Sequence, residues 1–247
     1  MDLGAFVKSI VLRIFFPQNS IIKTMKDGMV VAEYIEDGQK VRALQTSSGN
    51  TQGHIIIDRP DEVAVEYLRF IADGDYYKNV RSALLLGGGV YILPRWFTKA
   101  HPEIHVDVVE IDPAVTQTAR DYFSLKDSPS LRIFHQDAYH FINQLHTEGN
   151  SQYDYIFQDA FGSSANIPPR LTTVAFFTKL CALLSPTGVF LINFLGSRAS
   201  ASFENLHKAI AAAFPIINVH LVNYPSNTRA FQNIILAAYK NNPTHIE

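Results

Sequence analysis

The chain has 247 residues, 21 Lys+Arg against 23 Asp+Glu, a formal net charge of -2 and 47% hydrophobic residues. That length suits one large α/β domain with room for a small appendage, and the near-balanced charge leaves no broad basic field to hold a polyanion, which argues against nucleic acid as a partner. No apolar run reaches the roughly 18 residues that a membrane-spanning helix needs. The single cysteine, Cys181, sits in the apolar pattern FFTKLCALLS, so no intrachain disulfide can form. It reads as a small buried hydrophobe, and a reducing, cytoplasmic setting is expected.

In chain order, Leu3, Phe6, Val7, Ile10, Val11 and Ile14 repeat at helical spacing, and an amphipathic helix is expected over residues 1–18. Asp2 before the stripe, Lys8 and Arg13 inside it, and the lack of a small-residue cleavage site argue against a signal peptide. Packing on the protein's own body or across an oligomer interface, expected to be that of a homodimer, is preferred to a membrane-surface helix. Residues 19–60 read as a small β region of short alternating segments, with Asp37-Gly38 as a hairpin signal. From residue 61 to 247 helices and strands alternate. Helices are expected over 62–72, 113–123 (Asp112 as N-cap, Pro113 first), 139–145, 171–184 and 200–214. Strands are expected at 83–86, 105–111, 131–135, 153–158 and 188–194, with 217–222 and 233–239 as a closing pair. Such alternation predicts a doubly wound, mostly parallel sheet of seven strands, whose ligands bind at the carboxyl ends of the strands.

Those ends carry the chemistry. The first strand, Ala83 to Leu86, is a continuous apolar run that stops at Gly87, Gly88 and Gly89. The second ends in Glu110, about 20 residues beyond the glycines, the separation at which a βαβ unit brings a carboxylate to a ribose hydroxyl pair. The third ends at Asp137-Ala138 and the fourth at Asp159. A lone Asp caps a helix and glycines turn a chain, but four consecutive strand ends with such residues point to a nucleoside site. GGGVYILP lacks the last glycine of the dinucleotide fingerprint, and Pro94 falls where the next helix should start, so an adenosine without a pyrophosphate fits better. S-adenosylmethionine and its relatives have that form.

LLLGGG, VVEIDP, QDAYHFI, the SGNTQ segment followed by Asp61-Glu62 and Tyr67, and NYPSNTRAF resemble the motifs of the spermidine synthase (polyamine aminopropyltransferase) family. The resemblance runs from about Val30 to Tyr239 and implies a methyltransferase-type Rossmann-like fold. It also implies a decarboxylated S-adenosylmethionine or S-adenosylmethionine co-substrate, no metal, and an amine acceptor. It would place Gln52, the three glycines, Glu110, Ile111, Asp137 and Ala138 on the donor, Tyr67 and Tyr224 on the substrate, and Asp159 at the reaction. Two positions depart from the family pattern. The Asp-x-x-Asp-Pro pattern is replaced by DAFGSSANIPP, with Gly162 at the second aspartate, and the acidic residue after the glycines is Val90. A site with fewer acidic partners is expected to bind a diamine poorly, or to bind something else.

Transfer from a sulfonium is an in-line displacement that needs a positioned, deprotonated nucleophile and no metal. Asp159 would orient the amine or take its proton; Phe161 or Tyr224 could face the sulfonium as cation–π partners, with packing as the plainer role for each. The first reading is aminopropyl or other alkyl transfer to an amine. The second is methyl transfer on the same fold, and the third is a nucleoside-binding homologue without catalysis. His101 and His105, with Pro102 between them, and His135 and His140 are not spaced as a metal set, and no Gly-x-Ser-x-Gly elbow is present.

Overall fold

The computed structural model describes residues 20–26, 28–46, 49–149, 152–162 and 166–241. The helix expected over residues 1–18 lies outside them. Two sheets make the frame. The first is antiparallel, in the order β1 (Ser20–Thr24), β2 (Val30–Glu36), β3 (Gln39–Gln45) and β4 (Thr51–Ile56). Its central hairpin turns at Asp37 and Gly38, with φ of 49° and 75°, the pair of left-handed residues that a tight two-residue hairpin requires.

The second sheet has seven strands in the order β10-β11-β9-β8-β5-β6-β7. These are β5 (Ser82–Leu86), β6 (His105–Glu110), β7 (Leu131–His135), β8 (Tyr153–Gln158), β9 (Leu184–Gly196), β10 (Ile216–Leu221) and β11 (Gln232–Tyr239). Strands β5 to β9 are parallel, while β11 runs antiparallel to both β9 and β10. The doubly wound sheet read from the alternation is therefore present.

β5 lies inside this sheet with both neighbours parallel, and its side chains divide between two cores. Ala83 and Leu85 face one that holds α1 (Glu66–Asp73), α2 (Ile92–Ala100), α3 (Pro113–Tyr122) and residues of the antiparallel sheet. Leu84 and Leu86 face the other, with α4 (Ala138–Glu148), α5 (Val174–Leu183) and α6 (Ala201–Ala211). Burial on both faces explains why this strand is apolar without alternation. Arg42 ties the small sheet to the end of α3, its Nη1 donating to the Tyr122 carbonyl at 2.7 Å while its other nitrogens hold Glu33.

Several boundaries differ from the periodicity reading. α1 starts at Glu66 rather than residue 62, because Val65 is extended (φ -74°, ψ 122°) and the β-branched Val63 and Val65 favour that conformation. α5 starts at Val174 rather than 171, since Pro169–Leu171 forms a separate 3₁₀ turn and Thr173 caps the helix through Phe176 N–H. Pro94 does not delay α2. It is the third helical residue, where a backbone N–H would have no partner in the helix anyway.

Candidate active site

The chain leaves β5 for β6 and β7 on one side and returns to β8 on the other. The crevice between the ends of β5 and β8 is thus the point where the strand order reverses, the place where an open α/β sheet binds ligands. Gly87, Gly88 and Gly89 line a cleft there, together with Gln52 and Gly53 of β4, Tyr67 and Leu68 of α1, Val90, Leu93 and Pro94, and Asp159 at the end of β8. Residues distant in sequence, Gln52, Tyr67, the glycines and Asp159, meet as the motifs suggested.

Gly87 has φ of +100°, and a side chain there would stand 2.7 Å from the Asp159 carbonyl oxygen. Only glycine lets the two strand ends approach this closely. At Gly88 an added Cβ would lie 2.6 Å from the Tyr91 ring. Tyr91 itself is left-handed (φ 58°, ψ 33°) and fully buried, a conformation that costs about 1–2 kcal/mol for a residue with a side chain. Its hydroxyl pairs with Thr116 Oγ1 at 2.7 Å, and Thr116 Oγ1 pairs with His135 Nε2 at 3.0 Å. Burial pushes the Tyr91 phenol up to about 12, so it stays protonated. The sequence reading missed Tyr91, whose role depends on α3 and β7.

Glu110 is buried at the end of β6, and the backbone holds its carboxylate: Oε2 accepts from Gly88 N–H and Oε1 from Asp112 N–H, both at 2.9 Å. The acidic residue and the glycine loop are therefore one unit. Each carboxylate oxygen retains lone-pair capacity for a further donor such as a hydroxyl.

Asp159 is held by side chains. Its Oδ2 accepts from the Tyr67 hydroxyl at 2.7 Å and its Oδ1 from the Asn193 amide at 2.9 Å. Burial raises the Asp159 carboxyl above the ordinary aspartate range, and the two hydrogen bonds pull it partly back. Burial raises the Tyr67 phenol well above its usual value, with the Asp159 charge adding to it, so Tyr67 acts as a donor. Asn193 on β9 accepts in turn from the Asn233 amide of β11 at 3.1 Å. The sequence reading missed Asn193 as well, although a polar residue inside VFLINFLG is the signal that could have found it.

The remaining candidates stand outside the cleft lining. Asp137 caps α4, with Oδ1 accepting from Tyr139 N–H at 2.9 Å and His140 N–H at 3.4 Å, while Oδ2 pairs with Arg170. Nothing in the local pattern pointed to Arg170, 33 residues away. Ala138 is the buried first residue of that helix. Ile111 is 64% and Tyr224 57% exposed, and the Tyr224 backbone N–H donates to Gln232 Oε1. Phe161 is half-buried past the end of β8. Among the described residues no group of three or more His, Cys, Asp or Glu is placed to hold a metal ion. His101 packs against Tyr77 and Trp96, with ring centroids 4.6 and 4.9 Å apart.

A carboxylate that resists ionisation, with two donors on it and a glycine-built backbone wall facing it, can orient an amine and accept its proton. A buried carboxylate with a raised pKa in such a cleft marks a candidate proton-accepting site.

Known proteins share this frame. The chain is 37% identical over 110 residues to a polyamine aminopropyltransferase of Vibrio vulnificus, an alignment covering 44% of this chain and 36% of that protein. The chain thus spans about a third of the length of that relative. A probable spermidine synthase from Corynebacterium glutamicum superimposes with a TM-score of 0.72 at 22% identity, over 90% of this chain and 80% of that one. The human methyltransferase-like protein 13 in complex with SAH gives 0.60 at 24% identity, over 67% and 74%. The family model of the spermine/spermidine synthase domain matches residues 70–245, from within α1 to beyond β11, and by that match the chain belongs to the spermine/spermidine synthase family.

Proposed function

We propose that the cleft transfers an aminopropyl or other alkyl group from a SAM-type sulfonium donor to an amine. One observation carries the reading above the others: the Asp159 carboxylate, raised by burial, meets the glycine loop at the strand-order reversal with Tyr67 and Asn193 fixing both of its oxygens. In this reading Glu110 accepts from the ribose hydroxyls and the glycines let the donor's tail lie against the backbone. Gln52 touches that tail. Ala138 N–H, which has no partner within its own helix as the first helical residue, joins Asp137 at the adenine edge, and Ile111 offers an exposed apolar face beside it. Tyr67 and Tyr224 belong to the substrate side.

The chemistry is a single displacement. The amine nitrogen's lone pair attacks the carbon on the sulfonium, the C–S bond breaks, and its electron pair stays on sulfur as a neutral thioether. The proton leaving nitrogen passes to Asp159. The negative charge of Asp159 also favours the cationic donor.

Methyl transfer is the second reading, because the same adenosine contacts serve it; the likeness to a methyltransferase-like protein bound to SAH supports it. Calorimetric titration separates the two. Tight binding of decarboxylated S-adenosylmethionine alone is the expected result and supports aminopropyl transfer. Tight binding of S-adenosylmethionine alone would move the assignment to methyl transfer, and binding of neither would overturn both.

A further inference from the structure

We propose that the acceptor is an amine with one positive charge and an apolar remainder, and not a diamine or polyamine; this rests on the transferase reading above. Among the cleft-lining residues Asp159 is the sole acidic side chain, and it serves the reacting nitrogen. The segment DAFGSSANIPP that follows β8 contains no other acidic residue. Val90, next after the glycines, is buried, and its Cγ2 lies 2.7 Å from where a Cβ on Gly53 would stand. With Leu68, Leu93 and Pro94 it makes an apolar wall.

Tyr67 of α1 lines the cleft, and Phe70, one turn further along the same helix, lines a second open groove with Arg198, Val219, His220, Leu221 and Pro225. Among the described residues that line it, Arg198 brings a guanidinium and none brings a carboxylate. The His220 ring packs tilted against Phe70, centroids 5.3 Å apart, and shares a hydrogen bond with the Tyr76 hydroxyl at 3.2 Å, while burial lowers its pKa and favours the neutral ring. Glu66, the neighbour of Tyr67, is exposed and accepts from the Asn223 amide. A second ammonium on the acceptor would lie either against an apolar wall without a partner or near the Arg198 guanidinium, and both are unfavourable. An alkyl chain in the same place gains by burial.

The experiment compares n-butylamine, n-hexylamine and butane-1,4-diamine as acceptors with both donors, following products by mass. Donor binding is measured first and separately by calorimetry. The expected result is a kcat/KM for n-butylamine at least about tenfold above that for the diamine of equal length, rising further for n-hexylamine. Arg198→Glu, on an exposed residue, is expected to shift the ratio severalfold towards the diamine. A diamine used as well as the monoamines, or no reaction with any amine although a donor binds, would overturn this inference alone. Absence of donor binding would overturn the transferase reading and, with it, this one.

Discussion

The carboxylates at two neighbouring strand ends, Glu110 behind the glycine loop and Asp159 in the cleft lining, differ in what holds them. On the β5–β6 side, Glu110 is gripped by the main chain, through Gly88 N–H and Asp112 N–H. On the β8–β9 side, Asp159 is gripped by two side chains, Tyr67 from α1 and Asn193 from β9, and Asn193 leans on Asn233 of β11. A backbone-held group moves only if the loop moves, and its geometry survives most substitutions around it. A side-chain-held group can be retuned one residue at a time, in charge, orientation and proton affinity. The Glu110 side is thus fixed by the main chain, and the Asp159 side is where single substitutions can change the chemistry of a carboxylate on this frame. Of the two departures from the family pattern, Gly162 follows Asp159 by three residues, and Val90 follows the glycines at the end of β5 and lines the cleft.

Three substitutions test the contrast, in falling order of expected effect. Asp159→Asn keeps the shape and removes the proposed base, so turnover should fall by roughly 10²–10⁴-fold, the usual worth of a general base, with donor affinity falling far less, by the loss of one charge beside a cation. Full activity, read by product mass and calorimetry together, would remove Asp159 from the reaction. The same variant sharpens the electrostatics. Because the folded-state pKa of Asp159 is raised, the native protein binds that proton more tightly than the unfolded chain does. Stability therefore falls as pH rises from the ordinary aspartate range through the raised value, and Asp159→Asn should remove that part of the slope in thermal melts taken across acidic pH.

Glu110→Ala should act on the other side. It removes the proposed ribose acceptor and the side-chain partner of the Gly88 and Asp112 N–H groups, at about 1–3 kcal/mol for a buried unsatisfied donor. Donor affinity is expected to drop by about 10–100-fold with the fold intact. Circular dichroism with calorimetry checks both parts, and an unchanged affinity would take Glu110 out of the ribose role. The smallest effect is expected for Asn193→Ala, about tenfold in kcat, because one of two donors to Asp159 remains. Since that hydrogen bond lowers the Asp159 pKa, its loss should move the acid limb of the rate profile to higher pH. A fall in rate with an unmoved limb would make Asn193 a packing residue only.

Much of the frame was legible in the linear order. The apolar run Ala83–Leu86 before three glycines announced a doubly buried strand, and the spacing from the glycines to Glu110 announced a carboxylate at the end of the next strand of a βαβ unit, while its grip on Gly88 N–H came only with the fold. Asp37-Gly38 announced its hairpin, and Asp112-Pro113 the cap and first residue of α3, where Asp112 accepts from Ala114 N–H at 2.8 Å. Each signal rests on neighbours within a few residues or on one βαβ unit. Asp137 shows the limit. Its position at the end of β7 read as an adenine contact, but whether its oxygens also carry a helix cap and the Arg170 pair could not be seen from QDAYHFI. The start of α1 was misplaced for a related reason. Periodicity recognises which face is apolar, and Val63 is buried whether or not it is helical.

What the sequence determined by itself is the order of strands and helices, the strand ends that carry glycines or a carboxylate, and the glycine turn after β5. These follow from side-chain period and backbone sterics, which act locally. What only the tertiary structure decided is the company of Asp159. Tyr67 stands 92 residues before it and Asn193 34 residues after it, and they meet there because α1 packs over the point where β8 lies between β5 and β9. Proton affinity depends on burial and on those partners, so the chemistry of the carboxylate was settled by packing across the sheet rather than by any motif.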